Sequence, residues 1–200
     1  MIKLAAATGN KGKLSEIREI LRDEPVEVVP ISELFDSVPE IEENGSTFLE
    51  NALIKARYVF DHCGLWTLAD DSGLEVDYLG GAPGVKSARY AGESCNTEAN
   101  NKKLLSALSG VPLERRQACF KCVIVVVTGK DRYISSEGVC RGRIGLSPQG
   151  SAGFGYDPLF IPDGFNSTFA QLDTTVKNSI SHRGKALADL KEKMHAVIKQ

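Results

Sequence analysis

Two hundred residues, 42% of them hydrophobic and 25% charged, suffice to bury a core and are too apolar for a disordered chain. A formal charge of −2 provides no basic field for a nucleic-acid polymer, yet leaves room for a small basic pocket that takes a nucleotide. The longest apolar run, residues 122–127, is far below the ~20 residues of a bilayer span, and Gly9 interrupts the N-terminus too early for a signal peptide, so a cytoplasmic protein without membrane attachment is expected.

Residues 2–7 form a short apolar run closed by Thr8, Gly9 and Asn10, after which Leu14, Ile17, Ile20 and Leu21 recur at helical spacing. The pattern predicts strand, tight loop, helix. A glycine loop at a helix N-terminus offers backbone N–H groups and the positive end of the helix dipole to an anion, and Lys11 and Lys13 add charge there. The same residues also suit a plain turn in which Asn10 caps the helix. A second strand is expected over residues 26–31, then a loop carrying Glu40, Glu42 and Glu43. Thr47 and Glu50 have the spacing of a capping box and start a helix reaching about position 62. Its inward stripe of Phe48, Ala52, Lys55 and Val59 includes one lysine, which must either snorkel to water or meet a carboxylate or an anion. Asn51 lies one turn earlier on the same side.

The apolar run 65–68 leads into Ala69, Asp70, Asp71, Ser72 and Gly73. Adjacent carboxylates at the end of a buried strand need a metal, a cation or a proton, although Asp-Ser-Gly is also ordinary turn chemistry. Gly80, Gly81 and Gly84 precede Ser87, Arg89 and Tyr90, a segment of close backbone approach or mobility with polar groups beside it. Asn96 or Thr97 can cap a helix carrying Leu104, Leu105 and Leu108. Residues 118–128 and 133–140 flank Gly129, Lys130 and Asp131 as a long antiparallel hairpin. Cys119 and Cys122 make a C-x-x-C within it, but positions i and i+3 of a strand face opposite ways and no second pair exists. The five cysteines, an odd number, fit free thiols.

Phe154, Gly155, Tyr156 and Asp157 combine aromatic rings with glycine, which suits either a base-stacking platform or core packing. Lys177 and then Ser181, His182 and Arg183 lead into a last helix whose stripe is Leu187, Leu190, Met194 and Val197, with Ser181 placed as its N-cap. Two cation-forming residues in the first turn of a helix oppose its dipole and argue for a ligand. No repeat or linker separates independent parts, so residues 1–200 are expected to form a single domain.

Six motifs in order carry a resemblance over the whole chain: Thr8-Gly9-Asn10 with Lys13 and Glu16; Thr47-Phe48 with Glu50-Asn51-Ala52 and Lys55; Ala69-Asp70-Asp71-Ser72-Gly73-Leu74; the segment from Gly81-Ala82-Pro83-Gly84 to Ser87-Ala88-Arg89-Tyr90; Phe154-Gly155-Tyr156-Asp157-Pro158; and Ser181-His182-Arg183. Together they resemble the inosine/xanthosine triphosphate pyrophosphatase family. The resemblance implies an elongated α/β fold with a strongly twisted mixed sheet and flanking helices, two lobes around a cleft, and a homodimer. It implies hydrolysis of ITP, dITP and XTP to the monophosphate and pyrophosphate, with Mg²⁺.

Carried over residue by residue, Thr8, Gly9, Asn10, Lys11, Gly12 and Lys13 would hold phosphates, Asp71 would accept a proton and bind metal, and Glu42 would bind metal. Ser72, Phe154, Gly155, Tyr156, Asp157, Lys177, His182 and Arg183 would contact the substrate. Because a triphosphate brings several negative charges to carboxylates, Lys13 and Lys55 are assigned on physical grounds to offset phosphate charge. Arg183, which only donates, would read the 6-oxo group of the base. The sequence departs from the family pattern at Lys86, often aromatic there, and over Asp173-Thr174-Thr175-Val176, less acidic than usual. Two other readings are a pyrophosphatase for modified pyrimidine nucleotides and a nucleotide-binding protein without turnover.

Overall fold

The computed structural model describes residues 1–92 and 95–198. Its strands are β1 (Ile2–Ala6), β2 (Val26–Pro30), β3 (Trp66–Val76), β4 (Gln117–Gly129), β5 (Arg132–Ile144) and β6 (Phe160–Pro162). The α-helices are α1 (Lys11–Ile20), α2 (Phe48–Cys63), α3 (Thr97–Ala107), α4 (Thr174–Ile180) and α5 (His182–Ile198). The strands form one sheet in the order β2-β1-β3-β4-β5-β6. β1 pairs in parallel with both β2 and β3, and β5 pairs antiparallel with β6, so the sheet is mixed as expected. Only Lys130 and Asp131 separate β4 from its neighbour β5, a connection that requires an antiparallel hairpin.

The helix starts follow local side-chain chemistry. Asn10 caps α1 by accepting from the N–H groups of Gly12 and Lys13, Thr47 caps α2 through Glu50 N–H, and Asn96 caps α3 through Ala99 N–H. Gly64, at φ 68°, stops α2, a left-handed conformation that favours glycine. The sequence pattern missed α4, a short helix with Asp173 as its cap and Ser181 closing it. In α5, Leu187, Leu190 and Met194 are buried as the stripe predicts, whereas Val197 near the helix end is exposed.

The chain divides into two compact units: Met1–Asp71, Cys122–Gly138 and Arg183–Gln200 form the first, and Ser72–Lys121 and Val139–His182 the second. In the first, strand alternation distributes side chains to two faces. Leu4, Leu68, Cys122, Ile124 and Val126 pack with Ile17 and Leu21 at α1 and Leu187, Leu190 and Met194 of α5. Ala5, Ala69, Val125 and Val127 pack with Ala52, Ala56 and Val59 of α2. Burial on both faces explains the near-continuous apolar runs of β1 and β4. The second unit is built on Leu74, Val76, Leu104, Leu108, Phe120, Tyr156, Leu159, Phe160 and Phe169.

Candidate active site

β1 has β2 on one side and β3 on the other, with α1 and α2 as the intervening helices. Connections that leave neighbouring parallel strands in opposite directions open a crevice at the strands' carboxyl ends, the usual ligand position in open α/β sheets. Thr8, Gly9 and Asn10 follow β1 at that end, and with Ile41, Glu43 and Lys55 they line a cavity of about 220 Å³ in the first unit. The expected snorkelling alternative for Lys55 is not realised. Its ammonium is buried, 3.1 Å from Glu43 Oε2 and 3.5 Å from Asp71 Oδ1. Burial alone would lower the Lys55 pKa, but Asp71, Glu43 and Asp70 raise it above the usual lysine value, so it stays charged.

Asp70 and Asp71 alternate along β3 and meet different partners. The Asp70 side chain is fully buried, 3.1 Å from Lys13 Nζ, and accepts from Arg183 Nε and Nη2 at 3.2 and 3.0 Å. Burial acts to raise its pKa, yet Lys13, Arg183 and Lys55 hold it well below the usual carboxylate range. The Cys122 thiol, 3.9 Å from Asp70 Oδ2, is pushed up to about 12 by burial and by that carboxylate, which excludes it as a nucleophile near neutral pH. Asp71 accepts from Asn51 Nδ2 at 3.2 Å and meets Lys55. Here burial wins: despite Lys55 and Lys13, the Asp71 pKa is raised above the ordinary aspartate value.

Several expectations are redistributed. Glu42 is exposed and does not line the cavity; the neighbouring Glu43 is the acidic residue joined to Lys55. Lys11 turns to a groove on α1 with Arg18 and Arg22, away from the cavity lining. Arg183 is buried, with Asp70 holding Nε and Nη2 and Glu16 accepting from Nη1, so its guanidinium is withheld from a base while that pairing lasts. Glu16 was legible only as a motif residue, since 167 positions separate it from its partner.

In the second unit, Asp157 Oδ2 accepts from Phe154 N–H at 2.8 Å and from Lys177 Nζ at 2.9 Å. A Cβ on Gly153, whose φ is 77°, would stand 2.1 Å from that oxygen, so the turn requires glycine. The Lys177 ammonium lies 5.0 Å from the Phe154 ring centroid, a cation–π contact. Tyr156 takes the core-packing alternative, buried with its hydroxyl donating to Ser87 O at 2.8 Å. His182 stacks on Phe120 with centroids 4.7 Å apart, and Ser72 is half-buried on β3. Phe120 escaped the sequence reading because strand periodicity marks it only as core.

Fold and site together define an α/β protein whose loop after the first strand lines a cavity with Lys55 and Glu43. The chain belongs to the Ham1 family, whose model matches residues 4–193. It is 52% identical over 186 residues to a protein named dITP/XTP pyrophosphatase from Desulforamulus reducens, covering 93% of this chain and 92% of that one. A protein of the same name from Geobacter sulfurreducens is 50% identical over 192 residues, 96% of each chain. Among solved structures, a HAM1 protein from Coxiella burnetii superposes with a TM-score of 0.88 at 43% identity, covering 98% of this chain and 100% of the other. The Staphylococcus aureus Ham1 protein gives 0.85 at 39% identity, covering 97% and 98%.

Proposed function

We propose that this protein is a Mg²⁺-dependent pyrophosphatase that converts purine nucleoside triphosphates with deaminated bases, dITP, ITP and XTP, to monophosphate and pyrophosphate, clearing them from the nucleotide pool. The observation that carries this reading is the convergence of Glu43 and Asp71 on Lys55 beside the loop after β1, in a chain about half identical to proteins named dITP/XTP pyrophosphatase.

Among the described residues no three His, Cys, Asp or Glu side chains gather around one point. Two carboxylates with phosphate oxygens and waters fit Mg²⁺, which is commonly held by one or two carboxylates plus substrate phosphates. Asp71 and Glu43 would hold it, and when bound it neutralises phosphate charge. Water attacks the α-phosphorus as the bond to the bridging oxygen of pyrophosphate breaks, and Asp71 accepts the water's proton. Its raised pKa suits a proton acceptor better than that of the charge-saturated Asp70. Lys55 and Lys13 offset charge on the phosphates, with residues 8–10 at the cavity wall. From the family resemblance come Ser72, Phe154, Gly155, Asp157, Lys177 and His182 as substrate contacts, and a cytoplasmic homodimer.

The test is pyrophosphate release from dITP, ITP, XTP, GTP, ATP and a modified pyrimidine triphosphate, with and without Mg²⁺. Release confined to the deaminated purines and dependent on Mg²⁺ is expected. Preference for the pyrimidine, or nucleotide binding without turnover, overturns the proposal. Sedimentation equilibrium checks the dimer.

A further inference from the structure

Besides Lys55, a second buried side chain, Asn51, joins the acidic loop before α2 to the carboxylate of Asp71 on β3, 20 positions away in sequence. Its Oδ1 accepts the Gly45 N–H at 2.8 Å, and its Nδ2 donates to Asp71 Oδ2 at 3.2 Å. The amide orientation follows from chemistry, because a backbone N–H can only donate and an ionised carboxylate can only accept. Asn51 is only 2% exposed, so water does not replace either bond cheaply. The approach of the loop is close: a Cβ on Gly45 would stand 2.6 Å from Asn51 Oδ1, 2.7 Å from Glu50 Cβ and 3.0 Å from Asn51 N. Any larger residue at 45 must push the loop off the helix.

Glu43 sits two residues before Gly45 and reaches the same Lys55 ammonium that Asp71 meets through its other oxygen, Oδ1. Asn51 therefore fixes Oδ2 of Asp71 and the base of the Glu43 loop at once. We propose that Asn51 is a positioning residue that sets the spacing and orientation of Asp71 and Glu43 for a divalent cation, with Gly45 as the backbone anchor that makes the link possible. The inference rests on the metal-binding role proposed above for those two carboxylates. Neither Asn51 nor Gly45 contacts the substrate phosphates in this scheme; partners that orient metal-binding carboxylates typically change metal affinity by about 10- to 100-fold.

Binding of Mn²⁺ alone, followed by the electron paramagnetic resonance of the free ion, reads the link without turnover. Gly45→Ala and Asn51→Ala are each expected to weaken Mn²⁺ binding about tenfold, and the double variant no further than the weaker single one, because both break the same connection. Asn51→Asp keeps the acceptor for Gly45 N–H but loses the donor to Asp71, and is expected to lower kcat for dITP about 100-fold with KM changed less than about threefold. Should Asn51→Ala fold poorly, Gly45→Ala, on a half-buried loop, carries the test. Wild-type Mn²⁺ affinity in Gly45→Ala, or fully multiplicative losses in the double variant, overturns the link. A wild-type protein that binds Mn²⁺ but releases no pyrophosphate sinks the pyrophosphatase reading and leaves the link standing.

Discussion

The two sides of β3 at Asp70 and Asp71 place the same functional group in environments that move its pKa in opposite directions. On the α1 and α5 side, Asp70 is surrounded by Lys13 and Arg183, and Arg183 is itself tied to Glu16. On the α2 side, Asp71 meets one lysine that it shares with Glu43, plus the Asn51 amide. Cations outweigh burial at the first position and burial outweighs cations at the second, so the pKa of Asp70 is depressed and that of Asp71 raised. A carboxylate saturated with cations holds a fold together; one short of positive charge can take a proton or a divalent ion. One step along a strand is enough to separate the two environments, because successive side chains leave opposite faces of a sheet.

The strongest way to break this contrast is to remove each charge in turn. Asp71→Asn is expected to lower kcat for dITP by ~100-fold or more with nucleotide affinity largely kept, as measured by pyrophosphate release and equilibrium binding. Near wild-type turnover would erase the division. Asp70→Asn leaves Arg183 buried without its main counter-charge and should cost about 3–5 kcal/mol of stability in urea unfolding.

That loss has a pH signature. Because the folded-state pKa of Asp70 lies below its unfolded value of ~3.9, its contribution is fully present above that value and fades as pH falls further, through the folded pKa. The stability gap between wild type and Asp70→Asn should therefore narrow in acid; a constant gap would mean the carboxylate charge is irrelevant.

A smaller effect sharpens the α2 side. Glu43→Gln should raise the Mg²⁺ concentration needed for half-maximal turnover about tenfold, and Glu42→Gln less than twofold; the reverse order would return the role to Glu42. Smallest is Tyr156→Phe, which removes one buried hydrogen bond to Ser87 O and should cost about 1 kcal/mol in unfolding, leaving the contrast across β3 untouched.

Much of this arrangement was legible in the chain. Asn10, Thr47 and Asn96 mark helix starts because capping needs only a side chain and an N–H two or three residues on. The α2 stripe revealed Lys55 as an inward cation from helical period alone, and the ordered motifs pointed to the family. Strand period likewise separates Asp70 from Asp71, but it does not say which face is rich in cations. That depended on Arg183, 113 positions from Asp70, and on α5 packing against the β1 and β4 side chains.

The pairing of Lys55 with Glu43, the burial of Arg183 in an ion pair with Glu16 and Asp70, and the bridge through Asn51 are likewise products of tertiary packing. Local spacing encodes caps, stripes and strand faces, since these involve neighbours within a turn or two. The balance between burial and charge at Asp70 and Asp71 is set by groups from α1, α2, the loop before α2, and α5, and only the folded chain brings them to one place.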